Sequence, residues 1–175
     1  DNRWGNFFSV GGRWNMKREA FLEDVDWLNT LSLRGSFGEV GNNMGIGLYA
    51  YQALYGITTN GGDAALLKTQ LAAKDIKWET TQNLDVAVET RLFDRVNLSV
   101  GYFDKRSKDL LFDVKLPLSA GSNPWGDYMN MTQLKNIGTI SNRGLEIAAD
   151  VDIIKTNDWT WNMGIDATLL DSEII

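Results

Sequence analysis

Apolar and polar residues alternate along most of this chain, and the alternation is longest from Glu79 to Phe112. Before a short break at Phe93-Asp94-Arg95, Leu84, Val86, Val88, Thr90 and Leu92 fall on one side; Asn83, Asp85, Ala87, Glu89 and Arg91 fall on the other. After it, Val96, Leu98, Val100 and Tyr102 alternate with Asn97, Ser99, Gly101, Phe103 and Lys105. A sustained period of two predicts strands with one apolar and one polar face. A connection this tight makes them antiparallel neighbours. Ordinary strands run to about five or six residues, whereas a tilted membrane-crossing strand needs about nine to eleven. This hairpin is long enough to cross a bilayer.

The same pattern predicts four more strands. Asn6–Asn15 places Phe8, Val10, Gly12 and Trp14 on one face, and Thr30–Val40 places Leu31, Leu33, Gly35 and Phe37 on one face. Thr139–Ile154 and Trp159–Leu169 carry Leu145, Ile147, Ala149, Val151 and Ile153, then Trp159, Trp161, Met163, Ile165, Ala167 and Leu169. Met16–Asn29 reads as a turn with one or two helical turns. The stretch 44–77 reads as a long excursion, with Leu66, Leu67 and Leu71 giving Ala64–Ala73 the spacing of a short helix. The second strand of the long hairpin reads as continuing to Pro117, and Leu118–Asn136 as irregular. Connections therefore alternate between short and long. In an antiparallel meander alternate connections share an edge, so the short turns gather at one edge and both long loops at the other. Outer-membrane barrels have this asymmetry.

Aromatic positions fit the same picture. Trp14, Trp159 and Trp161 lie on apolar faces close to short connections, where an interfacial girdle would stand. In a soluble sandwich they would be core residues instead. The two architectures differ at Val86, Val88, Leu98, Val100, Ile147 and Ile165: exposed in a barrel, covered by a second sheet about 10 Å away in a sandwich.

Composition narrows the function. A net charge of −6 without any long basic run argues against a nucleic-acid partner. No Cys and no His remove disulfides, thiolate sites, the usual general base and the commonest metal ligand. We therefore expect no metal and no cofactor. Seventeen Gly against two Pro suit a β-rich chain with many turns. No apolar run reaches the roughly eighteen residues of a transmembrane helix, and the opening DNRWGNFFSV lacks the basic start and apolar stretch of a secretory leader. Asp85, Glu89, Glu146, Asp150, Asp152 and Asp166 all fall on polar faces. Two of them could in principle form a glycosidase pair, but acids recurring on every strand read as a hydrated lining, and no catalytic constellation stands out. The mixed cluster Asp104–Asp109 reads as a solvated strand extension in preference to a lipopolysaccharide or partner contact.

Four segments resemble the SusC/RagA-type TonB-dependent outer-membrane transporters of Bacteroidetes: LSLRGSFGEVGNNMGIG (31–47), DIKWETT (75–81), GYFDKRSKDLLF (101–112) and NIGTISNRGLEI (136–147). They lie in the family's order and spacing, and the opening FFSVGGRWNMKREAF resembles the family's strand and turn at the same place. The resemblance implies an all-β chain: an antiparallel up-and-down meander of about six strands from a barrel of about 22 strands filled by a plug. It also implies outer-membrane localisation, surrounding lipid, TonB-energised uptake of glycans or peptides, and a SusD-like surface lipoprotein partner. No enzymatic activity is expected. Residues 1–175 then read as part of the barrel, without plug, signal peptide or C-terminal strand, because six strands cannot close in lipid. Long extracellular loops are expected at about 41–78 and 118–137, with the short turns periplasmic. Within those loops, Tyr49, Tyr51, Tyr55, Trp125 and Tyr128 are the candidate substrate-binding aromatics, since ring faces suit sugars. Packing of a loop against the wall is their plainer role. The rival reading is a soluble carbohydrate-binding β-sandwich.

Overall fold

The computed structural model describes residues 4–117, 119 and 132–175. Trp125 and Tyr128 lie outside the described residues. Two compact units emerge, one from the segments up to Asn6, Gly41–Thr80 and Ser107–Thr139, the other from Phe7–Val40, Thr81–Arg106 and Ile140–Ile175.

The second unit is built on one sheet. Its strands are β1 (Ser9–Asn15), β2 (Leu28–Asn42), β5 (Glu79–Leu92), β6 (Val96–Lys108), β9 (Thr139–Lys155) and β10 (Thr160–Ile174), paired in that order. β1 and β2 pair antiparallel from Ser9↔Gly38 to Asn15↔Ser32. Between β2 and β5, Thr90 Oγ1 donates to the Thr30 carbonyl while Arg34 reaches Asp85, so their numbers run oppositely. Between β6 and β9, the Asp152 N–H reaches the Arg95 carbonyl while Phe103 lies beside Gly144. The alternation forecast this meander, and β2, β5, β6, β9 and β10 span 15, 14, 13, 17 and 15 residues. Each exceeds the nine to eleven or so that a tilted crossing requires.

Register fixes the two faces. Trp14 opposes Leu33 and Val10 opposes Phe37; Arg13 opposes Arg34 and Asn15 opposes Ser32. Between β9 and β10, Ala149 opposes Ile165 and Leu145 opposes Leu169, whereas Ala148 opposes Asp166 and Glu146 opposes Thr168. A bulge between Trp161 and Asn162 leaves Ile153 unpaired and shifts the register by one residue. The apolar face stays open: Val86 and Val100 are each 40% exposed and Ile165 is 62% exposed. Val88 and Ile147 are likewise open, and Leu98 is half-buried. No second sheet occurs in this unit. Among the described residues the buried apolar set is Leu28, Ala73 and Ala87 alone. A soluble domain of this length hides roughly two thirds of its surface around a core of large side chains. This sheet has none, so the sandwich reading fails.

The first unit differs from expectation in three places. Ala64–Ala73 is not a helix: β3 (Leu54–Asn60) and β4 (Asp63–Gln70) form an antiparallel hairpin closed by Gly61 and Gly62 at φ 65° and 97°. Both glycines have positive φ, the mark of a type I′ hairpin turn. The long strand does not continue to Pro117. It stops at Lys108, where Asp109 adopts φ 56°, and a new strand β7 (Leu111–Lys115) follows. β7 pairs with β8 (Thr132–Asn136), inside the stretch expected to be irregular. The second long connection therefore begins at 109. The expected turn after β1 is a single 3₁₀ turn, Met16–Arg18, followed by successive tight turns. No described helix is long and apolar enough to cross a membrane, which leaves crossing by strands untouched.

Candidate functional site

On the polar face of the sheet, side chains project from alternate positions of neighbouring strands and so meet across them. Arg13 Nη2 donates to Glu89 Oε2 at 2.7 Å and to Ser32 Oγ at 2.9 Å. Arg34 Nη1 donates to Asp85 Oδ1 at 2.7 Å. Its Nε lies 3.1 Å from Glu89 Oε1, an ion contact whose angle is not that of a hydrogen bond. Two arginines and two carboxylates thus tie β1, β2 and β5 together. All four are partly hydrated, so each pair contributes at most about 1 kcal/mol. Beside them a shallow groove of about 270 Å³ is lined by Arg13, Glu89, Asn97, Ser99 and Asp150, among others. The acids that sequence alone placed on polar faces are dispersed along the sheet; Asp85 and Glu89 pair with Arg13 and Arg34, and Asp152 lies 3.8 Å from Arg91. Among the described residues no three acids converge on a metal-sized site.

At the short-turn edge stands a row of aromatics. Trp14 Nε1 donates to Glu19 Oε1 at 2.8 Å, and Trp14, Trp159 and Trp161 are all exposed. Trp27 stacks on Phe93, with ring centroids 6.0 Å apart. Alternation alone missed Trp27, because it lies in the turn before β2, and missed Phe93, because it is the turn. The turn itself is left-handed at two residues, Phe93 at φ 53° and Asp94 at φ 52°. Such backbone costs a non-glycine residue about 1–2 kcal/mol. Its hydrogen bonds offset this: Phe93 N–H to the Trp27 carbonyl at 2.7 Å and Asp94 N–H to Asn29 Oδ1 at 2.6 Å. The Asp94 carboxylate accepts from Lys155 at 2.8 Å and lies 3.1 Å from Arg91. The Lys155 hydrogen bond, then the charges of Lys155 and Arg91, hold that carboxyl below its ordinary range.

In the first unit, Tyr49 and Tyr51 occupy successive tight turns between Gly47 and Gln52, and Tyr55 lies on β3; all three are exposed. Gln70 Nε2 fastens the turn by donating to the carbonyls of Tyr49 and Gln52 at 2.8 and 3.1 Å. A cleft of about 560 Å³ opens nearby in the chain, between residues 72–77, Asp109 and 133–137. None of the three tyrosines lines it. Its walls are joined by side-chain amides: Asn136 Oδ1 accepts the Lys77 N–H at 2.8 Å, and Asn136 Nδ2 donates to the carbonyls of Lys77 and Asp109, both at 2.7 Å. Sequence pattern missed this group entirely.

Comparison with known proteins agrees with this architecture. A family model described as TonB dependent receptor-like, beta-barrel matches residues 1–173. The TonB-dependent receptor SusC of Bacteroides thetaiotaomicron is 32% identical over 99% of this chain, and TonB-dependent receptor P26 of Formosa agariphila is 30% identical over 92%. The chain spans only about a sixth of those relatives, 17% and 16% of their lengths. Among solved structures, the RagAB peptide importer in its open-open state superposes with a TM-score of 0.78 at 25% identity, over 96% of this chain and 18% of that one. One antiparallel meander with an open apolar face and an ion-paired polar face is what a stretch of such a barrel consists of, and this chain belongs to the TonB-dependent receptor β-barrel family, on its SusC-type branch.

Proposed function

We propose that these residues are part of the wall of an outer-membrane transporter that takes up oligosaccharides or peptides with energy delivered through TonB. The observation that carries this reading is the sheet itself. Its apolar face is open along strands long enough to cross lipid, while its opposite face is hydrated and charge-matched. In this reading the aromatic edge with Trp14, Trp159 and Trp161 lies at the periplasmic membrane interface. The connections at 43–78 and 109–138 face outward, where Tyr49, Tyr51, Tyr55 and the loop residues Trp125 and Tyr128 meet substrate. A SusD-like surface lipoprotein caps the barrel, in keeping with the kinship to SusC. Aromatic rings on the connections favour a glycan, and the kinship to a peptide importer favours a peptide.

The test is growth of the source bacterium with the full gene deleted. Oligosaccharide mixtures or peptide mixtures are supplied as the limiting nutrient, followed by complementation with wild-type or a Tyr49→Ala, Tyr51→Ala, Tyr55→Ala variant. Loss on one nutrient, restored only by wild-type, identifies the substrate class and the tyrosines together. Unchanged growth and unchanged labelled uptake on both would overturn the transport reading.

A further inference from the structure

The cleft of about 560 Å³ inside the first unit is lined by residues 72–77, Asp109 and 133–137. Its size falls within the roughly 300–1,000 Å³ of small-ligand sites. Most of its polar side chains are already committed. The Asn136 amide spends both donors and its acceptor on the backbone of Lys77 and Asp109. Gln133 Nε2 donates to the Ala72 carbonyl at 2.7 Å, and Lys77 Nζ lies 2.9 Å from Asp109 Oδ2.

Two ammonium groups are left over. Lys74 and Lys135 line the cleft from different segments, both are exposed, and among the described residues neither has an ion-pair or hydrogen-bond partner. Asp75, also unpaired among the described residues, offsets one of them. The lining thus holds three lysines against two acids, Asp75 and Asp109, in a chain with 17 Lys and Arg against 23 Asp and Glu. An ammonium offers donors only, and its strongest bonds go to anionic oxygens. An aromatic ring stands beside these donors. Gln133 and Lys135 are two apart on β8 and share a face, which the Gln133 bond to Ala72 turns toward the other wall. Phe112 pairs directly with Lys135 across the hairpin, so it lies on that face, and it is 49% exposed. Its Cε2 is 3.9 Å from where a Cβ would stand on Gly138, next to the lining residue Ile137.

We propose that this cleft binds acidic glycans, with Lys74 and Lys135 holding uronate carboxylates and Phe112 stacking on a sugar ring. An exposed ring face takes the apolar C–H surface of a sugar, while the free ammonium groups take its charge. The inference rests on the transporter reading and narrows its cargo.

Calorimetric titration of the full-length protein in detergent tests it, with heat-dependent gel mobility reporting that the barrel has assembled. The probes are oligogalacturonate, the same oligomer with its carboxyls methyl-esterified, and oligoglutamate. Oligogalacturonate is expected to bind roughly five- to ten-fold more tightly than its ester, the effect of two exposed charges, and the gap should narrow at high salt. Lys74→Gln combined with Lys135→Gln should erase the gap, whereas Lys115→Gln, outside the cleft lining, should keep it. Phe112→Ala should weaken acid and ester alike. Absent or equal binding of acid and ester, or a gap that survives the double substitution, overturns the site. Tighter binding of oligoglutamate than of oligogalacturonate overturns the glycan assignment. Titration needs no TonB, so these failures leave the transport reading standing, and loss of uptake with the gap intact would fail that reading alone.

Discussion

The ring of Phe103 on β6 lies over Gly144 on β9: a Cβ at Gly144 would meet Phe103 Cζ at 2.9 Å and would collide with the Leu169 carbonyl oxygen. An aromatic thus covers a glycine on the neighbouring strand, and backbone closes the other side. Gly144→Ala is therefore expected to cost about 1–3 kcal/mol, the usual range for overpacking. Gly164→Ala gives the contrast, because the one close contact of its Cβ would be the Asp150 carboxylate at 2.6 Å, the free end of a side chain, with backbone no nearer than 3.9 Å. Urea midpoints of the full-length protein in detergent should fall clearly for the first and little for the second. Equal effects would sink the argument.

Val86 and Ser99 sit mid-strand on opposite faces of the same hairpin. Val86→Arg places a charge at the centre of the apolar face, where a lipid-facing barrel loses about 2–4 kcal/mol. Ser99→Arg faces the hydrated side and should be nearly silent. Folding into bilayers, read by the fraction of heat-modifiable protein, separates the two. Equal effects of the two substitutions would overturn the assignment of the two faces.

The Phe93-Asp94 turn makes a conformational prediction. Both residues are left-handed, a region that asparagine visits readily and β-branched residues avoid. Phe93→Val should cost about 1–2 kcal/mol, and Phe93→Asn should cost mainly the ring stack on Trp27, about 0.5–1.5 kcal/mol. If Val is tolerated better than Asn, the turn is not left-handed.

The same turn carries a pH dependence. Asp94 is held below its ordinary value of 3.8, first by the Lys155 hydrogen bond. A carboxyl whose folded pKa is depressed stabilises the fold above the unfolded pKa, and that contribution disappears as pH falls through the folded pKa. Amide exchange at Asp94 and Arg95 should therefore be slow at neutral pH and, after correction for intrinsic rates, quicken below pH 3.8. Asp94→Asn should abolish the pH step. A variant retaining the step would move its origin elsewhere.

The strands that cross were legible because each has one face for lipid and one for water, and period two reports faces. That is why β2, β5, β6, β9 and β10 emerge from Leu33, Val86, Val100, Ile147 and Ile165. Where a segment has no such asymmetry the signal fades. Leu66 and Leu67 are adjacent, so they fit a helix turn as readily as a hairpin, and only Asn60-Gly61-Gly62-Asp63 marked the true turn. Asp109 breaks a strand through one left-handed residue, which leaves no periodic trace. The amide bridges of Asn136 were invisible for a different reason. Asn136 finds the backbone of Lys77 across 59 positions, and no local pattern encodes a contact of that range.

Every residue of β10 is exposed, and among the described residues its outer edge has no strand beside it. A bare edge of 15 residues is a template for any strand that meets it. Produced alone, these residues would recruit copies of themselves and report on self-association instead of transport. In a closed barrel that edge would be paired, and strain introduced at Gly144 or Val86 would be shared with the strands adjoining it.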